Sequence, residues 1–129
     1  MRLQPKPDIV AGTPDHPITI TAVPHRVRVT FAGHVVADTR RALSLAEASY
    51  APVMYIPRED VDLGLLERTE HETGCPYKGE ASYYSIRTAG RVAQNAAWSY
   101  EQPLPAVAAI AGHMAFYPNR VDSLDQLPV

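Results

Sequence analysis

The sequence predicts a single compact domain, mainly β and antiparallel, of tent or sandwich type, with one or two short helices. Three observations predict it. Short apolar–polar alternations recur from residue 18 onward, only two segments combine helical composition with helix-end signals, and strands do not alternate with helices as in a doubly wound sheet. A chain of 129 residues fits one core, which commonly occupies about 100–150 residues.

Residues 1–17 carry Pro5, Pro7, Pro14 and Pro17 with little periodicity and read as a proline-rich N-terminal arm; residues 18–129 read as the β domain. Ile18, Ile20 and Ala22 alternate with threonines in "ITITAV", a strand pattern. In "RVRVTFAGHVVAD", Val27, Val29 and Phe31 oppose Arg26, Arg28 and Thr30, and Ala32-Gly33 supplies a hairpin turn. "RALSLAEASY" has helical composition, but Leu43 and Leu45 alternate between β segments, which favours a strand. "PVMYIP" is a further short strand.

"REDVDLGLLERTE" predicts a helix, with Asp60 or Asp62 capping a turn from Leu63 to Arg68 and with Leu65 and Leu66 packed inward. Gly64 weakens any longer helix by roughly 1 kcal/mol relative to alanine. Strands follow at "ASYYSIR", "AAWSYE" and "HMAFYP". "PLPAVAAIAG" reads as a short helix, with Pro105 near its start and Gly112 past its end.

Twelve Lys+Arg against fourteen Asp+Glu give a net charge of −2, so no overall field draws the chain to nucleic acid. No apolar run approaches the roughly 20 residues of a membrane span, and residues 1–17 lack the apolar core of a signal peptide. One cysteine excludes an intrachain disulfide framework. The expectation is a soluble cytoplasmic protein, monomer or homodimer, with neither a nucleic-acid nor a membrane partner.

Chemistry concentrates in "TGCPYKGEASYY", residues 73–84. Cys75 is a nucleophile if Lys78 or His71 lowers its pKa, and otherwise a small buried residue. Lys78 on the Gly79 turn suits a phosphate or carboxylate, or is a plain turn lysine; the phosphate-loop order of glycines and lysine is absent. Tyr77, Tyr83, Tyr84, Trp98 and Tyr100 fall on two neighbouring strands. Strand alternation puts Tyr83 and Tyr84 on opposite faces and Trp98 with Tyr100 on one. One tyrosine then joins Trp98 and Tyr100 in an aromatic wall, either lining a pocket or packing a core. Arg58 after Tyr55 is an anion contact, beside Glu59 and Asp60, which suit a general base or a polar helix start. The five histidines show no metal-ligand spacing, so neither a metal nor a cofactor is expected.

Five blocks in order, "RVRVTFAGHVVADTRRAL", "YIPREDV", "CPYKGEASYYSI", "AAWSYEQPLP" and "IAGHMAFYPNRVD", resemble the bacterial and fungal family called domain of unknown function 427. The resemblance spans residues 18–122. It implies a β-tent, two antiparallel sheets leaning together, akin to domains that commonly hold zinc on two cysteine pairs. Cys75 alone cannot carry that zinc over. The family is also labelled nucleotidyltransferase-like; Asp60 and Asp62 have the paired spacing, but no Gly-Ser turn precedes them.

The preferred functional reading is a small-molecule-binding β domain, with an aromatic and cationic pocket near the CPYKG turn built from Tyr55, Arg58, Tyr77, Lys78, Tyr83, Tyr84, Trp98 and Tyr100. The alternatives are a small enzyme using Cys75 or the Tyr/Lys cluster for covalent or acid–base chemistry, and an accessory interaction protein.

Overall fold

Side-chain alternation and polar turns divide the chain into eleven short strands, all paired antiparallel, in the computed structural model, which describes residues 9–128. Strands β1 (Ile9–Thr13), β2 (His16–Ala22), β5 (Leu43–Glu47) and β6 (Val53–Tyr55) form a four-stranded sheet in that spatial order. Strands β7 (Leu66–Cys75), β8 (Gly79–Arg87), β9 (Val92–Ser99) and β10 (Ala115–Phe116) form a second, in the order β10-β9-β8-β7. Strands β3 (Arg26–Phe31), β4 (His34–Thr39) and β11 (Ser123–Leu127) make a three-stranded sheet with β3 at its centre.

The second sheet is the middle of the molecule. Ala81, Tyr83, Trp98 and Ala115 on one face pack against Ile18, Ile20, Leu45 and Tyr55 of the first sheet. Tyr84, Ile86, Ala97 and Phe116 bury instead with Val27, Val29, Phe31 and Val36 of the third. This two-sided burial follows from the period of two along β8 and β9. Paired backbone bonds between Ile56 and Met114 join the first two sheets at one edge.

The expected hairpin spans β3 and β4. Ala32 and Gly33 both take positive φ, 50° and 79°, as a tight two-residue turn matched to strand twist requires. The fold class is the expected one, a mainly β antiparallel domain, with three sheets where the resemblance implies two.

Two local expectations change. No α-helix forms among the described residues; the helical segments are 3-10 turns at Arg58–Asp60, Leu63–Leu65, Pro105–Ile110 and Pro118–Arg120. Asp62 does cap as expected, accepting from Gly64 N at 3.1 Å, but Leu66 turns extended and the polar run to Cys75 becomes edge strand β7. Helix composition there yields to pairing with β8. The second change concerns the arm: residues 9–17 form β1 and the start of β2, a hairpin paired from Ile9↔Ile20 to Thr13↔His16, while residues 1–8 lie outside the described residues. No helix among the described residues is long and apolar enough to cross a membrane.

Candidate functional site

The turn between β7 and β8 is short because Cys75 pairs directly with Gly79. Lys78 N donates to Cys75 O at 3.3 Å, and Gly79 adopts φ of 110°, a conformation that disfavours any residue with a Cβ. Leu104 N donates to Lys78 O at 2.9 Å, which pins the loop after β9 against the turn.

Lys78 points inward. Its side chain is 13% exposed, and its Nζ donates to Glu47 Oε1 at the end of β5. Glu47 is 15% exposed and accepts a second bond, 2.8 Å, from His16 Nε2. The His16 ring stacks on Tyr77 with centroids 4.1 Å apart, while Lys78 Nζ sits 5.5 Å from the Tyr100 ring centroid. Trp98 Nε1 donates to Tyr55 Oη at 3.3 Å. Cys75 is half-buried and packs against the same cluster.

This environment sets the protonation states. Burial by itself lowers the Lys78 pKa, but the bond to Glu47 and the nearby Tyr55 and Glu47 charges carry it above the ordinary 10.5. Burial pushes Glu47 up, yet the bonds from Lys78 and His16 win and hold it below the ordinary 4.5. Burial chiefly raises both phenols, Tyr55 up to about 12 and Tyr100 further. At neutral pH the pair is therefore ammonium and carboxylate, and the two phenols keep their protons.

The pair makes stability depend on pH. Glu47 has a folded pKa below its unfolded one, so its contribution is whole above the unfolded value and fades as pH falls through the folded value. Lys78 is the reverse: its contribution is whole below its unfolded pKa and fades as pH rises through the folded one. Urea midpoints measured from about pH 7 down to about pH 3 should fall in acid, and Glu47→Gln should flatten that fall. An unchanged acid limb in Glu47→Gln contradicts the assignment.

The aromatic face divides as alternation requires. Tyr83 lies opposite Trp98 in the β8–β9 register and joins Trp98, Tyr100 and Tyr55. Tyr84 lies on the other face, where its Oη donates to Glu101 Oε1 at 2.6 Å. Arg58 is on that other face too, donating from Nε to Gly112 O at 3.0 Å and from Nη2 to Ser99 Oγ at 3.3 Å. The nine residues singled out from sequence thus fall into two groups: Cys75, Tyr77, Lys78, Tyr83, Trp98, Tyr100 and Tyr55 inside, Arg58 and Tyr84 across the sheet. Asp60 accepts from Thr39 Oγ1 at 2.7 Å and pairs with Arg41, while Asp62 caps Gly64, so each paired aspartate has a structural partner.

An open cleft of about 510 Å³ lies on the Tyr84 side of β8, against the CPYKG turn. Arg68, Gly79, Ser82, Glu101, Gln102 and Leu104 line it. Arg68 Nη2 donates to Ser82 Oγ at 2.9 Å.

Sequence reasoning missed His16, Glu47, Arg68 and Glu101. A signal existed for two of them: Glu47 has the parity of Leu43 and Leu45, and His16 that of Ile18 and Ile20, so alternation aims both inward. Arg68 ends the expected helical turn, and that expectation does not set it opposite Tyr84, its register partner. Among curated proteins the chain has no match. Residues 19–126 match the family described as Domain of unknown function (DUF427), and the protein belongs to that family.

Proposed function

We propose that this domain binds a small molecule in the cleft beside the CPYKG turn. The observation that carries this reading is the cleft itself: its volume, about 510 Å³, lies within the roughly 300–1,000 Å³ of small-molecule sites. Its walls join a glycine turn to a guanidinium, a hydroxyl and three carboxylates, Glu72, Glu80 and Glu101. On this reading Tyr55, Trp98, Tyr83 and Tyr100 are the packed floor behind the sheet. Lys78 braces the turn through Glu47, Tyr84 holds Glu101 by a hydrogen bond, and Arg58 stands beside Glu101 at the cleft's margin. A buried lysine held as an ammonium ion is a poor nucleophile, which favours binding over covalent chemistry at Lys78.

A thermal-shift screen with nucleotides, aromatic acids and amines tests the reading. A ligand at a hundredfold excess over its Kd stabilises by about 2.7 kcal/mol. Ser82→Phe, which fills the cleft, should abolish the shift. A shift that survives Ser82→Phe places the ligand elsewhere and contradicts the reading.

A further inference from the structure

Two arginines from separate elements converge on one carboxylate of this cleft: Arg68 lines it, and Arg58, outside its lining, approaches the same Glu101. Arg58 Nη2 and Arg68 Nη1 each lie 3.9 Å from Glu101 Oε1, so the two nitrogens are no further apart than twice that distance. Neither reaches hydrogen-bond range of the oxygen, which Tyr84 Oη occupies at 2.6 Å. Each guanidinium has five N–H donors. Arg58 commits Nε to Gly112 O and Nη2 to Ser99 Oγ, and Arg68 commits Nη2 to Ser82 Oγ. The remaining donors outnumber the lone pairs left on Glu101, and two positive charges face its single negative one. Both arginines reach solvent, with side chains 32% and 56% exposed.

The same cleft carries an opposing limit. Glu72 and Glu80 also line it. Glu72 pairs with Ser82 across the β7–β8 ladder, and Glu80 lies two residues before Ser82 on β8. A ligand with one anionic group at the arginines sets a single negative charge against these carboxylates. A polyanion long enough to follow the cleft sets further negative charge against them, which costs affinity.

We propose that the cleft takes a small organic acid through a single carboxylate clamped beside Glu101, between Arg68 in the cleft wall and Arg58 at its margin, and that Glu72 and Glu80 turn away polyanions such as nucleotides. The planar guanidinium fork matches a carboxylate in two parallel bonds, and Glu101, held by Tyr84, positions both forks without saturating them. This inference rests on the cleft being the ligand site.

The test is an NMR titration of the 15N-labelled chain with acetate, benzoate and phenylacetate, set against benzylamine and ATP. At least one acid should shift the backbone signals of residues 79–82 and 101–104. Arg68→Gln, at an exposed position that spares the fold, should weaken that acid by roughly tenfold or more, the loss of a charge-assisted hydrogen bond. The double variant Glu72→Gln and Glu80→Gln should bind ATP more tightly than the parent chain does. Cleft signals that answer benzylamine or ATP better than every acid overturn the carboxylate clamp and leave the small-molecule reading standing. An acid response indifferent to Arg68→Gln also overturns the clamp. Silence at these residues from all five probes counts against both.

Discussion

Replacing Glu47 by alanine should lower the unfolding free energy by about 3 kcal/mol, because it strands a mostly buried ammonium without its partner. The loss should be unequal across the pair. Glu47 accepts from both Lys78 and His16, so Glu47→Ala orphans two groups, whereas Lys78→Met leaves Glu47 with its histidine. Lys78→Met should therefore cost less, about 1–2 kcal/mol. Replacing both at once, Glu47→Leu with Lys78→Met, should recover most of the Glu47→Ala loss, leaving only His16 without its acceptor, since an apolar pair escapes the cost of burying charge. Urea unfolding of the three variants gives these numbers. Equal losses from the two single substitutions, or a double variant as weak as Glu47→Ala, contradict the brace.

Trp98→Ala should cost about 3–5 kcal/mol, the range for emptying a buried tryptophan site. Trp98 is 9% exposed and packs between Tyr55 and Tyr117, with ring centroids 6.4 Å and 4.5 Å away. Its loss also removes the donor to Tyr55 Oη. The conservative variant separates packing from recognition. Trp98→Phe refills most of the space and should cost only about 1–2 kcal/mol, leaving the affinity of any cleft ligand unchanged. If Trp98 were a wall of the ligand site, Trp98→Phe would weaken binding while stability stayed near the parent value.

These two expectations show where the sequence is legible. Alternation alone separates Tyr83 from Tyr84 and sets Tyr83 beside Trp98, because the period of a strand is two whatever surrounds it. The β3–β4 hairpin is legible for the same reason, with Ala32-Gly33 as its turn. What local pattern does not carry is partnership across long separations. Glu47 and Lys78 are 31 residues apart, and no spacing rule joins them; the pairing of β2 with β5 and the fold of the first sheet onto the second bring them together.

Strand β7 escapes local reading for another reason. It is an edge strand whose residues are mostly exposed, so "LERTEHETGC" carries little apolar alternation and its charged residues imitate a helix surface. The expected helical turn runs from Leu63 to Arg68, which takes Arg68 off the face of Tyr84, where the cleft lies. The aromatic residues fill the interior. The open space lies behind them, across β8.

Crystallographic soaking with small fragments tests this placement most directly. Fragments should bind against Arg68, Ser82 and Glu101, with the rings of Trp98, Tyr100 and Tyr55 in contact as in the free protein. Fragments lodged between those rings, with the cleft empty, would contradict it.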